Sequence, residues 1–353
     1  MNRRALIISL LLCSTLMVAW TASAKEFASI EYLCCAWGPA MTLPTKAGEK
    51  PQFDDSQEEV YFLKQVAGQG VGIYLCKMKA DGSEKTEVKE LWRDPNYPID
   101  TQDCTTWMDV CAKTHQIAVT VTYAGSDLTG LWTMNMDGSG LRRIITPEHT
   151  TNGLQSVGSV TWTPDGQWLV YGESIRGAGR NGRVAKCDAK GEKRVYLTDG
   201  PFDSYPRVSP DGKQVAFIHW IIKGDVHDRW LWLVDLDGSN SHPLPNPTAK
   251  PNWSAQAHWG LFPAWSPDGR RVFIIGVGLE VIDALTGREV FHHSPTLQGS
   301  QYGITGWPHW GKQGFVGFSV GGILFTDAEL REAKWIGSSR LVECSGPKEP
   351  GRW

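Results

Sequence analysis

Histidine, tryptophan, tyrosine and glutamine side chains gather in segments of the sequence that lack the regular pattern of a strand or a helix. These residue types suit a ligand site, because aromatic rings stack on sugar rings, and imidazole or amide groups bind hydroxyls or a divalent metal. They are concentrated at 219–230, 246–263 and 294–308. We therefore predict a ligand-binding surface made of His219, Trp220, His227, Trp253, Gln256, His258, Trp259, Gln301 and Tyr302.

Cleavage of an acidic polysaccharide, by a lyase or a hydrolase, is the alternative use of these residues. A lyase needs a base that works near neutral pH and a cation that faces the uronate carboxylate. Arg176, Arg180 and Arg183 could offer the positive charge. The histidines and glutamines that could approach one another are Gln256, His258, Gln298, Gln301 and His309. Their spacing matches no diagnostic motif such as HExxH, so the catalytic residues stay unassigned and the sequence favours binding. No cofactor is predicted, although a divalent metal stays open.

A recurrent turn indicates which elements position these residues. The sequence VTWTPDG (160–166) returns as PRVSPDG (206–212) and as PAWSPDG (263–269). Pro presets the second position of a type I turn, Asp tolerates the third, and Gly takes the left-handed fourth. Such a turn closes a tight β-hairpin. The residue that precedes the turn recurs every 45 to 57 positions, at Phe53, Trp107, Trp162, Val208, Trp265 and Trp310.

A second turn repeats with a similar period. It is clearest in MDGSGLRR (136–143) and LDGSNSHP (236–243). Short segments rich in β-branched and aromatic residues separate the two kinds of turn, as expected for strands. Four strands in each of six repeats predict an all-β fold, a six-bladed β-propeller of four-stranded antiparallel blades. The glycines of the second turn lie 47 to 56 residues apart, at Gly82, Gly138, Gly191, Gly238 and Gly287.

The paired patterns PxWSPDGxxVxF and LWxxDxDGSxxxxLT resemble the TolB-type, WD40-like (PD40) propeller repeat. The resemblance covers most of the chain and implies a β-propeller. Propellers of this type act both as binding scaffolds and as enzymes, so the resemblance is specific for the fold and not for the function. The first pattern is clearest at 160–171, 206–217 and 263–274, and the second at 131–146 and 231–244.

The N-terminal sequence predicts export. A basic pair precedes an apolar stretch, and an Ala-Ser-Ala sequence offers a signal-peptidase site, so residues 1–24 are predicted to be a cleaved signal peptide. The segment at 25–48 is expected to supply the strand that closes the ring, followed by the propeller at 49–335 and a tail at 336–353. We expect a periplasmic or secreted protein with no membrane span after signal cleavage.

The two turns of each blade predict a plain face and a functional face. In an antiparallel blade the first and third turns lie at one end of the strands, which we name the lower face. The candidate residues lie at the other end, the upper face, where long segments on a rigid scaffold usually carry function. The tryptophans that precede the first turns are expected in the core. We therefore predict an exported binding scaffold whose upper face takes a protein or a glycan ligand.

Composition narrows the range of partners. The chain has 35 basic and 38 acidic side chains, and loss of the signal peptide removes two of the basic ones. A negative balance argues against nucleic acid and anionic lipid as partners, because both select an excess of Lys and Arg. The expected partner is a cell-envelope protein or a polysaccharide, and the expected state is a monomer.

An exported chain enters an oxidising compartment, where cysteines can form disulfides. Cys104 and Cys111 form a plausible local pair, and the adjacent Cys34 and Cys35 offer a bridge to Cys344. The odd number of cysteines after signal cleavage leaves at least one unpaired or bonded to another chain. The pairing stays open for Cys34, Cys35, Cys76, Cys104, Cys111, Cys187 and Cys344.

Overall fold

The structure is a computed structural model in which every regular element described is a β-strand. Within the described part, no helix has the length and apolar character needed to cross a membrane. The predicted signal peptide lies outside this part. The described residues are 32–37, 59–68, 70–79, 84, 86–94, 104–123, 127–147, 149–150, 153–176, 181–200, 202–223, 226–244, 262–275, 279–293, 309–311, 314–319, 322–326, 332–337 and 343–345.

The described strands form six antiparallel sheets, and strands consecutive in sequence are neighbours within each sheet. The first sheet contains β1 (Tyr32–Trp37), β2 (Glu59–Gly68), β3 (Gly70–Lys79) and β4 (Thr86–Asp94). The second contains β5 (Cys104–Cys111), β6 (Gln116–Tyr123), β7 (Gly130–Asn135) and β8 (Arg142–Ile145). The third contains β9 (His149–Thr150), β10 (Gly153–Trp162), β11 (Trp168–Arg176), β12 (Asn181–Asp188) and β13 (Val195–Tyr196).

The remaining three sheets follow the same order. The fourth contains β14 (Asp203–Val208), β15 (Gln214–Lys223), β16 (Val226–Asp235) and β17 (His242–Pro243). The fifth contains β18 (Phe262–Trp265), β19 (Arg271–Ile275), β20 (Leu279–Asp283) and β21 (Glu289–His293). The sixth contains β22 (His309–Gly311), β23 (Gly314–Ser319), β24 (Gly322–Thr326), β25 (Glu332–Gly337) and β26 (Glu343–Ser345).

The two recurrent turns occupy their predicted places in the sheets. The [ST]-P-D-G turn joins the hairpins β10–β11, β14–β15 and β18–β19. The second turn joins the strands that follow, as between β16 and β17. In the third sheet the short strand β9 precedes the hairpin as an addition to the predicted four. The prediction of repeated antiparallel sheets is therefore confirmed for the described strands.

The [ST]-P-D-G turns of the third, fourth and fifth sheets close on themselves through the same hydrogen bonds. In the fourth sheet, Ser209 Oγ donates to Asp211 Oδ1 at 2.6 Å and accepts from the Gln214 amide at 2.9 Å. Gly212 has a φ of 74°, the left-handed conformation that this position requires. The turns of the third and fifth sheets repeat the network.

Both kinds of turn lie at the same end of a sheet, as predicted. The amide of Leu236, in the second turn of the fourth sheet, donates to the carbonyl of Lys213 in the first turn at 2.7 Å. Ala284 donates to Arg270 in the fifth sheet in the same way, at 2.8 Å. This end is the lower face, and the opposite ends of these strands belong to the upper face.

Apolar clusters lie between consecutive sheets. The cluster between the third and fourth sheets contains Val170 and Val184 on one side and Val215, Phe217 and Val234 on the other. Alternate side chains of a strand point to opposite faces of its sheet. A sheet in the middle of the stack therefore contributes to two clusters, one on each side. Sheets packed face to face in sequence order are the arrangement of propeller blades.

The N-terminal strand is not confirmed as the element that closes the ring. β1 pairs with β2, from Cys34 opposite Leu63 to Trp37 opposite Val60, as the first strand of the first sheet. The sixth sheet takes its fifth strand, β26, from the predicted tail. The alternation of apolar and polar side chains predicts which face of a strand is buried. It does not predict which strand lies beside it, so the sequence carried no signal for the pairing of β1 with β2. A closed six-bladed ring stays a prediction.

The predicted Cys104–Cys111 disulfide is wrong. Both residues lie on β5, seven positions apart, so their Cα atoms are roughly 23 Å from each other. A disulfide needs Cα atoms within about 7 Å. Cys111 is instead a buried thiol in the cluster between the second and third sheets. Cys187 is a thiol in the same cluster, and burial raises its pKa to about 12.

Candidate functional site

His219 and Trp220 lie within a strand, and not in a loop as the sequence suggested. β15 and β16 pair without interruption as far as Lys223 opposite Val226. The first strand of the sheet, β14, pairs with β15 only as far as Asp203 opposite His219. The hairpin beyond His219 therefore projects past β14 at the upper face.

The described part of the chain does not bring the other predicted site residues to His219. His227 lies on β16 opposite Ile222, three positions along β15 from His219. Of the arginines considered for catalysis, Arg176 ends β11 and Arg183 lies on β12 in the third sheet, while Arg180 lies outside the described residues. The candidates outside the described residues are Trp253, Gln256, His258, Trp259, Gln301 and Tyr302.

The upper end of β14 places a buried carboxylate behind His219. Asp203 and His219 lie directly opposite each other on the two strands, and Asp203 Oδ1 is 2.6 Å from Nδ1 of His219. The Asp203 side chain is 2% exposed and that of His219 is 21% exposed. The imidazole ring also packs on Trp232, with the ring centroids 4.6 Å apart. The imidazole is therefore held at one nitrogen and remains partly accessible to solvent.

Two glycines leave room for Asp203. A Cβ atom at Gly200 would lie 2.6 Å from Oδ2 of Asp203, and one at Gly182 would lie 2.8 Å from its carbonyl oxygen. Both distances are shorter than real Cβ contacts, so a side chain at either position would displace Asp203 or its strand. Gly182 also forms a bridge with Phe202, which joins the third sheet to the fourth. Asp203 therefore lies at the junction between two sheets.

Trp220 occupies the opposite face of β15. Its indole Nε1 donates to Ser204 Oγ at 3.3 Å. The ring packs against the apolar cluster between the fourth and fifth sheets, which contains Trp265 and Ile274. His219 and Trp220 are adjacent in the sequence but serve the junctions on either side of the fourth sheet.

A β-bulge follows Asp203 and redirects Tyr205. The register between β14 and β15 shifts between Ser204 and Arg207, and Tyr205 within the bulge has a φ of 57°. A bulky residue in the left-handed region is strained, and such strain is often found at functional sites. The Tyr205 ring contacts Trp107 of β5, with ring centroids 5.9 Å apart. The bulge thus connects the fourth sheet to the second, past the intervening third.

A largely buried ion pair, with the Arg207 side chain 8% and the Asp109 side chain 15% exposed, lies on the lower side of this aromatic contact. Arg207 Nη1 is 3.5 Å from Asp109 Oδ1, and Asp109 Oδ2 accepts from the Trp162 amide at 2.7 Å. Trp265 Nε1 donates to the carbonyl of Arg207 at 3.0 Å. Burial raises the pKa of the Asp109 carboxyl, and Arg207 and the Trp162 amide offset this only in part. These contacts join strands of four consecutive sheets.

No described residues fit a metal ion. The part of the chain whose side chains are described contains no group of three His, Cys, Asp or Glu residues that could hold one. In the second turn of the fourth sheet, the Asp237 carboxylate forms hydrogen bonds within the turn. Its Oδ1 accepts from the Ser239 amide at 2.8 Å and from the Ser239 hydroxyl at 2.6 Å. A divalent metal therefore stays untested.

Sequence reasoning did not select Asp203, Tyr205, Asp109 or Arg207. Asp203 lies in DGPFDSYP (199–206), a segment that reads as a connection to the next strand. Its partner His219 follows 16 residues later, and only the register of β14 and β15 brings the two together. The acidic residue Asp203 at the start of a strand was visible in the sequence, but nothing in the sequence identified His219 as its partner.

Comparison with known proteins bears on the fold. No family model matches the chain. The Tol-Pal system protein TolB of Rhizorhabdus wittichii is 35% identical over 91 residues, which are 26% of this chain and 18% of that protein. The fold is a TolB-like β-propeller. The six described sheets and their recurrent turns agree with this assignment.

Solved structures resemble the TolB-like propeller at low sequence identity. Hydrazine synthase of Kuenenia stuttgartiensis matches with a TM-score of 0.50 and 13% identity, over 84% of this chain and 92% of that one. TolB of Acinetobacter baumannii matches with a TM-score of 0.48 and 14% identity, over 72% of this chain and 52% of that one. At such identities the likeness concerns the fold alone.

Proposed function

We propose that this chain is an exported β-propeller that serves as a binding scaffold for a cell-envelope protein or glycan, which it contacts with its upper face. The contrast between the two ends of the sheets carries the proposal. At the lower face the turns bond to themselves and to each other. At the upper face the β15–β16 hairpin projects past β14, with His219 and Trp220 at its base.

The similarity to TolB supports a place in the cell envelope. The relative that matches over 91 residues is a Tol-Pal system protein. The N-terminal sequence reads as an export signal, which agrees with a periplasmic or secreted location. The negative charge balance disfavours nucleic acid as the partner.

The test compares ligand retention by the protein and by two single-residue variants. Purified protein is screened against a glycan array and an envelope extract, and each retained ligand is then measured with Trp220→Ala and Lys213→Gln. Trp220→Ala removes a ring from the upper face, whereas Lys213 lies in a lower turn with its side chain 81% exposed. We expect binding at least tenfold weaker in Trp220→Ala, as loss of an aromatic contact implies, and unchanged in Lys213→Gln.

Two outcomes would contradict the proposal. Equal loss of binding in Lys213→Gln would move the contact to the lower face. A rise in the absorbance of unsaturated uronate products, during incubation with acidic polysaccharides, would replace the scaffold by a lyase. Thermal unfolding of each variant separates lost contact from lost folding.

A further inference from the structure

We infer that Asp203 and His219 form a hydrogen-bonding site in which Nε2 of His219 accepts a hydroxyl hydrogen from a neutral carbohydrate. The inference rests on the proposed function, because it names the ligand class of the upper face. His219 is the residue that contacts the ligand, and Asp203 is a positioning residue that acts through it.

The first step concerns the tautomer of His219. An ionised carboxylate only accepts hydrogen bonds, so Nδ1 of His219, 2.6 Å from Asp203 Oδ1, carries the hydrogen. In the neutral imidazole the other nitrogen, Nε2, then has a free lone pair. Asp203 therefore turns His219 into an acceptor with a fixed orientation.

The second step concerns the cost of the arrangement. A buried carboxylate is unfavourable unless it is paired. Within the described part of the chain, His219 is the one titratable side chain at hydrogen-bonding distance from Asp203. Gly200 leaves room for the carboxylate, because a Cβ atom there would lie 2.6 Å from Asp203 Oδ2. A histidine that only filled space between sheets would need neither the carboxylate nor this glycine.

The third step concerns access. The His219 side chain is the partly exposed member of the pair, and it lies at the last position where β15 pairs with β14. Among described groups, the hydrogen bonds of its ring involve Nδ1 alone. Trp232 packs on the ring, and Trp230, half-buried, lies opposite His219 on β16. The partly exposed ring is therefore packed on one tryptophan, and a second tryptophan lies opposite it on the neighbouring strand.

The fourth step concerns the ligand class. A carboxylate or phosphate on the ligand would face the lone pair of His219 Nε2, and the negative charge of Asp203 lies behind this nitrogen. The like charges of the ligand and Asp203 would repel each other. A hydroxyl group donates to the same lone pair without this penalty. Sugars carry hydroxyls and an apolar ring face that suits tryptophan. Between an anionic and a neutral glycan, the pair therefore favours the neutral one.

The first experiment reads the tautomer without any ligand. Nitrogen-15 spectra of the imidazole are recorded at about pH 8, above the ordinary imidazole range. We expect a protonated Nδ1 and an unprotonated Nε2 for His219. In Asp203→Asn the amide group can donate to Nδ1, so we expect the opposite tautomer. A protonated Nε2 in the unaltered protein would overturn the inference.

The second experiment titrates oligomers of glucose and of N-acetylglucosamine. We expect one of them to shift the Nε2 resonance of His219, and to bind roughly fivefold to tenfold more weakly in His219→Gln and in Asp203→Asn. The control is His242→Gln, since His242 is exposed at the lower face and bonds the carbonyl of Asn240. Its affinity should stay unchanged.

The two proposals can fail separately. A protein ligand that depends on Trp220, with no sugar shifting His219, would sustain the scaffold and overturn the inference. Binding of a sugar that is equally strong in Asp203→Asn would also overturn it. Retention of no ligand by the upper face would remove the proposed function itself.

Discussion

Asp109 and Arg207 form the buried pair that links the second sheet to the fourth. Removal of one partner leaves an uncompensated buried charge, so we expect Arg207→Met to lower the free energy of unfolding by about 3–5 kcal/mol at neutral pH. Urea unfolding of the variant and of the unaltered protein measures this difference.

The cost of Arg207→Met should depend on pH. Burial already raises the pKa of Asp109 above its ordinary value, and loss of Arg207 raises it further. A carboxyl whose pKa is raised on folding stabilises the protein below the unfolded-state pKa, and that contribution is lost as pH rises through the folded-state pKa. The difference between variant and unaltered protein should therefore shrink as pH falls towards about 4. A difference that is constant or grows in acid would contradict the assignment.

At the scale of the element, Gly212 shows what the recurrent turn demands. Its φ of 74° is costly for a residue with a Cβ, although a Cβ would meet only Pro164 of the preceding turn at 3.5 Å. We therefore expect Gly212→Ala to lower the free energy of unfolding by about 1–2 kcal/mol. Gly212→Asn should cost less, because Asn tolerates the left-handed region better.

The matched control is Gly172→Ala. Gly172 lies in β11, and a Cβ there would make ordinary contacts with Ser159 Oγ at 3.6 Å and Pro206 at 3.9 Å. We expect it to leave thermal stability unchanged or slightly raised. Equal costs at Gly212 and Gly172 would show that backbone conformation does not explain the turn glycine.

Most of the sheets could be predicted from the turns, because each turn carries its own chemistry in four consecutive residues. The ends of the hairpins could not. The segment IIKGDV (221–226) contains a lysine, a glycine and an aspartate, and reads as a loop, yet both strands continue through it to Lys223 and Val226. A short Gly-Asp connection was the signal for a tight hairpin.

The candidate site was less predictable than the fold. His219 and Trp220 could be selected by residue type, but their partners Asp203 and Ser204 depend on the register of β14 against β15. That register includes a bulge, and no sequence period encodes it. The pairing of β1 with β2 was hidden for a similar reason, because 21 residues separate the two strands.

At the scale of the whole molecule, basic side chains join neighbouring sheets near the lower face. Lys89 Nζ donates to the carbonyl of Gly138 at 3.0 Å, from the first sheet to the second. Lys186 Nζ donates to the carbonyl of Leu236 at 2.7 Å, from the third to the fourth. The lower face is therefore braced between sheets as well as within them.

The most direct test of the account compares crosslinking from the two faces in living cells. A photoreactive amino acid replaces Trp220 at the upper face in one strain and Gln167, exposed in a lower turn, in another. The account predicts that irradiation joins the Trp220 position to one discrete partner and leaves the Gln167 position uncrosslinked. A discrete partner at Gln167, with none at Trp220, would contradict the account, because binding would then belong to the lower face.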